Sequence, residues 1–172
     1  FDENKIKTVL DYGAGRGQFV EDKCQYRKGL RNLKGKVKHL VGCDVEKEIF
    51  YNQTVDQRII IKNHKVPMPD CSFDLINADY VLEHIDNPLN FTSEINRLLK
   101  PGGWFTARTP HKYCYVSILS QLFSNNFHSK ILRIVQPQRK SVDVFPTRYR
   151  LNTLREVKKL FHNYENKSFI FR

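Results

Sequence analysis

Val9-Leu10-Asp11-Tyr12-Gly13-Ala14-Gly15-Arg16-Gly17-Gln18-Phe19 runs from an apolar strand pattern through three alternate glycines into a helical pattern. Such a turn lets backbone pass close to a ligand, because glycine has no Cβ, and it aims N–H groups into the crevice at the strand ends. The loop is GxGxG. A dinucleotide fingerprint needs glycine where Gln18 stands, so a pyrophosphate-binding dehydrogenase is disfavoured. A bland tight turn would also produce this loop, and the surrounding sequence has to decide between the two.

Outward from the loop, short apolar runs alternate with helical patterns, as in a parallel sheet with crossover helices. Strands are expected at about 7–12, 38–43, 57–61, 73–78, 103–108 and 166–171, and helices at about 17–29, 46–54, 88–99, 113–123 and 152–162. The last helix has its own start signal, with Asn152 or Thr153 as cap and Glu156 three residues beyond Thr153. The second strand ends in Val41-Gly42-Cys43-Asp44, which sets a carboxylate at a carboxyl edge where it can accept from both hydroxyls of a ribose or cap the next helix. Asp11, two residues before Gly13, is positioned to face an ammonium group or to orient water. Further stations are Val66-Pro67-Met68-Pro69-Asp70-Cys71-Ser72-Phe73-Asp74, Leu82-Glu83-His84-Ile85 and Leu98-Leu99-Lys100-Pro101-Gly102-Gly103.

In order and spacing these stations resemble the class I S-adenosylmethionine-dependent methyltransferases, most closely the broad subgroup with VLDxGxGxG, PxPDxSFD, LEHxxNP and LLKPGG motifs. The resemblance covers residues 7 to about 110. It implies an α/β fold, Rossmann-like and doubly wound, with a mainly parallel sheet, helices on both faces, and a terminal strand lying beyond Arg172. It implies S-adenosylmethionine as cofactor and S-adenosylhomocysteine as product. Gly13, Ala14, Gly15 and Gly17 would wrap the methionine and ribose end, Asp44 would hold the ribose diol, and Val45 would contact adenine. Asp11 and the backbone around Ala78 would face the methionyl ammonium. One departure stands out: where members often carry an acid that accepts from the adenine amino group, this chain reads Ile61-Lys62-Asn63-His64. Asn63 can substitute through its side-chain carbonyl, whereas Lys62 cannot accept.

The whole chain is read as one domain, 1–172, with a cofactor-binding core at about 7–110, an inserted acceptor lid at about 112–150, and a last helix and strand at about 152–171. Methyl transfer to oxygen or nitrogen can use a base, and His84 and His111, expected just beyond the fourth and fifth strands, are the candidates. The alternatives for them are a structural ring nitrogen and an exposed turn. No metal site is expected: Asp79, Glu83 and His84 lack a further carboxylate, and the cysteines at 24, 43, 71 and 114 form no CxxC pair and read as reduced structural thiols.

The 172 residues carry a net charge of +11, with 40% hydrophobic and 27% charged residues, which suits one folded domain and excludes acidic-disordered and multi-spanning membrane classes. A cytoplasmic, soluble protein is expected. A first group of cations, Lys23 to Lys38 with Arg27 and Arg31, reads as the solvated face of the first crossover helix. A second, from 128 to 172, sets eleven Lys and Arg against three acids, and its lid portion raises the question of an acidic acceptor. The acceptor is expected to be small or medium: a glycan, a lipid or quinone, or a secondary metabolite. The competing readings are an RNA or protein methyltransferase that uses the basic surface, and a catalytically silent domain that binds cofactor or a partner.

Overall fold

The computed structural model describes residues 6–114 and 146–169. Five parallel strands form one sheet: β1 (Thr8–Tyr12), β2 (His39–Asp44), β3 (Gln57–Ile60), β4 (Phe73–Asp79) and β5 (Leu99–Arg108), in the order β3-β2-β1-β4-β5. The chain steps outward through β2 and β3, then crosses back to lay β4 against β1. This reversal leaves a crevice beyond the carboxyl ends of β1 and β4, the usual ligand position in doubly wound sheets. The helices are α1 (Gln25–Arg31), α2 (Pro88–Leu98) and α3 (Leu154–Leu160). None of the helices among the described residues is long and apolar enough to cross a membrane.

The described residues gather into two units. The first, built from residues up to Val81 and Leu89–Arg108, holds the sheet. Its core is the continuous apolar run of strands buried on both faces, with Val9, Leu10, Val41, Cys43 and Ile76 fully enclosed. α2 lends Ile95, Leu98 and Phe91, whose ring meets Tyr12 and Phe105 edge-on at 5.3 and 6.0 Å. The second unit, Leu82–Pro88 with the residues from Thr109 onward, buries Leu82, Tyr149, Leu151 and Phe161. Its helix α3 starts on the expected capping box, in which Thr153 Oγ1 accepts from Glu156 N at 3.2 Å and Glu156 Oε2 accepts from Thr153 N at 3.1 Å.

Several elements differ from the sequence reading for local reasons. The helix expected at 17–29 is split into a 3-10 turn at Gln18–Glu21 and α1. Asp22 breaks it, since its carboxylate accepts from Cys24 N at 2.9 Å and grips Arg27, giving the backbone an alternative to the helix ladder. The expected helix at 46–54 is a 3-10 turn at Lys47–Tyr51. α2 ends at Leu98 as expected, and Lys100-Pro101-Gly102-Gly103 just beyond it forms a bulge inside β5, because pairing passes from Phe73↔Leu99 directly to Leu75↔Trp104. Residues 166–169 are exposed and form no strand. The helix at about 113–123 and most of the lid lie outside the described residues, as do 170 and 171 of the last strand. Of the cysteines, all free, Cys43 alone is buried, and Cys71 is exposed.

Two of the family-like stations are structural ties at the amino edge of the sheet. Asp74 accepts from Lys7 N, Thr8 N and Thr8 Oγ1 at 2.8–3.0 Å and from Lys100 Nζ at 2.8 Å, pinning the starts of β1, β4 and β5 together. Burial alone would raise its pKa, but these donors hold it well below the usual carboxylate range.

Candidate cofactor and active site

The glycine loop is held by β2. Gly13 N and Ala14 N both donate to the Cys43 carbonyl at 2.8 and 3.1 Å, and Gly15 N donates to Asp44 Oδ2 at 2.9 Å. The N–H groups of Gly13, Ala14 and Gly15, expected to point into the crevice, are therefore already committed to β2, and this stretch contributes shape in place of donors. A Cβ on Gly13 would lie 2.5 Å from Val81 Cγ2, and Gly13, Gly15 and Gly17 all have φ between +51° and +74°. At Gly15 an added Cβ would meet nothing nearer than Asp44 Oδ2 at 4.0 Å, so the space above it is open.

Asn52, which the sequence reading missed, supports the loop from inside. Its buried amide donates to the Ala14 and Gly15 carbonyls at 3.2 and 3.0 Å, and its oxygen accepts from Thr54 N and Oγ1 at 2.9 and 2.6 Å. All four hydrogen-bonding positions are filled. An asparagine near the end of the helix expected at 46–54 reads locally as an exposed helix position, so no sequence signal distinguished it.

Asp44 ends β2, buried, with Oδ1 accepting from Glu46 N at 3.0 Å. Its carboxylate has about four lone-pair positions and spends two on backbone, which leaves two for a vicinal diol. Both roles weighed for it, turn cap and diol acceptor, are thus open to the same side chain. Val45 follows with its side chain exposed. Asp11 is half-buried on β1, between Gly42 and Asn77, and accepts from Asn77 Nδ2 at 3.1 Å. Burial pushes its pKa up to about 6; Asn77 opposes this, Asp79 and Asp44 add to it, and Arg31 lowers it.

These residues share one crevice, and comparison with known proteins says what kind. A family model described as a methyltransferase domain matches residues 2–165. The chain belongs to the methyltransferase domain family. Over 113 residues it is 37% identical to the Mycolicibacterium smegmatis protein named "Probable S-adenosylmethionine-dependent methyltransferase/", covering 63% of this chain and 40% of that one. Over 110 residues it is 30% identical to a biotin biosynthesis bifunctional protein of Teredinibacter turnerae, covering 60% of this chain and 19% of that one. The chain therefore spans less than half the length of either relative. Among solved structures, YcgJ of Bacillus subtilis superimposes with a TM-score of 0.57 at 22% identity, covering 92% of this chain and 61% of that one. A SAM dependent methyltransferase of Aquifex aeolicus gives 0.50 at 22%, covering 79% of each chain. Both likenesses show the Rossmann-like α/β fold. S-adenosylmethionine is the cofactor of this class, and the spare acceptor positions on Asp44 with the open space above Gly15 beside it fit such a group.

In this methyltransferase domain Ala78 is buried on β4, and Asn63 sits exposed at the tip of a two-residue turn closed by Lys62 and Lys65. The structure brings Asp11, the glycines, Asp44 and Val45 together; Asn63 is turned to solvent, and Lys62 lines the cleft beside Val45. Arg31 departs from the sequence reading as well. Instead of belonging only to a solvated helix face, it reaches Asp79 Oδ2 at 3.4 Å, while Arg108 forks onto the same carboxylate at 2.7 and 2.8 Å.

The two histidines lie in the second unit and differ in tautomer. His84 Nδ1 is 3.0 Å from the Pro146 carbonyl, which can only accept, so in the neutral ring Nδ1 carries the proton and Nε2 the lone pair. His111 Nδ1 instead accepts from Tyr113 N at 3.2 Å, so its proton is on Nε2. Glu83, which precedes His84 in the chain, is buried and accepts from Thr109 Oγ1 at 2.8 Å, and its carbonyl receives Arg148 N and Tyr149 N.

Proposed function

We propose that the protein moves a methyl group from S-adenosylmethionine to a small or medium acceptor, a glycan, a lipid or quinone, or a secondary metabolite, in the cytoplasm. The observation that carries this reading is the crevice at the β1/β4 reversal, where Cys43 and Asp44 lock a loop with glycine at every other position next to a carboxylate with acceptor capacity to spare. In this reading Asp44 receives the ribose diol, Val45 lies against adenine, and Asp11 with the Ala78 backbone faces the methionyl ammonium. When bound, the cofactor supplies an electrophilic methyl group on a sulfonium. The protein has to align the acceptor and, for oxygen or nitrogen, take up its proton.

His84 is assigned that proton, because its Nδ1 contact leaves the lone pair on Nε2; the Nδ1 lone pair of His111 is already engaged by backbone. The acidic or partly apolar character of the acceptor rests on the aromatic and basic composition of 112–150. Transfer of labelled methyl to fractionated cell extract, with mass spectrometry of the product, tests the activity. His84→Ala is expected to cut turnover about 10²- to 10⁴-fold, the usual worth of a positioned base. His111→Ala should stay near wild type. Equal turnover in both would sink the base assignment and leave proximity as the mechanism.

The Asp11 carboxyl gives a pH signature. Ammonium recognition needs the ionised form, and with a pKa of about 6 that form dominates at pH 8 and is scarce at pH 5. Calorimetry with S-adenosylhomocysteine should show affinity about tenfold weaker at pH 5 than at pH 8. Asp11→Asn should bind weakly with no such slope. The stability term has the opposite sign: the folded state keeps this proton to higher pH than the unfolded chain, so the contribution of Asp11 falls as pH rises from about 4 to about 6. An equal slope in Asp11→Asn would remove Asp11 from the ammonium site.

A further inference from the structure

Immediately past Asp44 lies a cleft of about 570 Å³ whose apolar walls include Val45, Phe50 and Pro67. The charged side chains on its lining are Lys47, Arg58 and Lys62, no carboxylate is among them, and the lining amide, Gln57, has its Oε1 3.3 Å from His39 Nε2. Arg58 is held by donating to the Asn52 carbonyl, and Lys62 is fixed at the base of its turn by paired backbone bonds with Lys65 at 2.9 and 2.8 Å. Apolar walls that include an aromatic ring suit a purine base, and Val45 brings the cleft next to the carboxylate read as the ribose acceptor.

Resting on the proposed cofactor reading, we infer that this cleft takes the purine base of the cofactor and recognises it with donors, so that it does not select for the 6-amino group. Adenine presents an amine at position 6, which needs an acceptor; ammonium and guanidinium groups offer none. A 6-oxo purine presents a carbonyl at the same place, which Lys62 or Arg58 can donate to. Strong rejection of an analogue arises when it strands a buried partner built for the lost group. Here no charged acceptor stands on the lining to be stranded, and shape and stacking carry the binding of either base.

The test is calorimetric titration of the whole chain with S-adenosylhomocysteine and with S-inosylhomocysteine. The two are expected to bind within about tenfold of each other, a difference of less than about 1.4 kcal/mol. Lys62→Glu, on an exposed turn, supplies the missing acceptor, and it should shift the ratio toward S-adenosylhomocysteine at least about tenfold. A thermal melt verifies that this variant is folded; if it is not, Lys62→Gln replaces it, with a shift in the same direction. A wild-type preference for S-adenosylhomocysteine above tenfold overturns the inference, and an unchanged ratio in the folded variant overturns the role of Lys62. Absence of heat with both ligands removes the cofactor reading itself, an outcome distinct from a strong preference between them.

Discussion

Arg97→Ala is expected to lower the free energy of unfolding by about 3–5 kcal/mol, the range for stripping one partner from a buried ion pair. Glu94 on α2 is only 4% exposed, and Arg97 is its cation, with Nε and Nη2 on the two carboxylate oxygens at 2.9 and 2.8 Å. The same guanidinium donates to the Met68 and Val66 carbonyls at 2.7 and 3.0 Å and to Asp70 at 2.7 Å, so it clips the 66–70 segment to the helix. Burial alone would raise the pKa of Glu94; Arg97 and the Val66 N–H, at 2.8 Å, reverse that and hold it down. Without Arg97 a buried carboxylate is left with one backbone donor. Arg97→Lys should recover little, because an ammonium cannot reproduce the planar fork. Adding Glu94→Gln to Arg97→Ala should restore part of the loss by removing the stranded charge. Urea denaturation measures all three; a loss below about 1 kcal/mol would put this pair with ordinary surface bridges.

Gly13→Ala is expected to weaken S-adenosylhomocysteine binding about 30- to 100-fold, corresponding to about 2–3 kcal/mol. The new methyl would meet Val81 Cγ2 at 2.5 Å, and φ at +74° is costly for any residue with a Cβ. Valine is stiff at χ1, so the clash resolves by moving the loop. Movement of the loop breaks its hold on Cys43 and Asp44, which is where the cofactor reading needs it. Gly35→Ala is the control: its φ is +78°, but a Cβ there meets nothing within 4 Å. That variant should lose about 1 kcal/mol of stability from strain and keep full affinity. Equal effects of the two substitutions on affinity would show that backbone strain alone matters and would sink the role given to the Gly13 and Val81 contact.

Much of the fold was legible because β1 to β4 are short, with β1 and β2 apolar and buried on both faces, so all four fall within a residue or two of their expected limits. Helix ends were less legible. Asp22 divides one expected helix with its own side chain, and competition of that kind depends on which backbone groups lie within reach. Of the candidate site, Asp11, the glycines, Asp44 and Val45 came from a local motif and a strand end. Asn52 did not, because its two contacts to the loop join residues 37 and 38 positions apart. The reach of Arg31 to Asp79, 48 positions away, was hidden in the same manner, and a residue counted with a solvated charge cluster proved to face the carboxyl edge.

From the order of its apolar runs and glycines alone, this chain determined a parallel α/β sheet and a loop next to an acidic strand end. These follow from properties each segment carries by itself: burial on both faces, absence of a Cβ, the hydrogen-bonding capacity of a carboxylate. Only the tertiary structure decided that the N–H groups of Gly13, Ala14 and Gly15 are spent on Cys43 and Asp44, that Asp74 and Lys100 tie the amino edge, and that Lys62 in place of Asn63 lines the cleft beside Val45. The physical reason is that partner choice depends on distance in space, and strand order brings together groups that no local pattern relates.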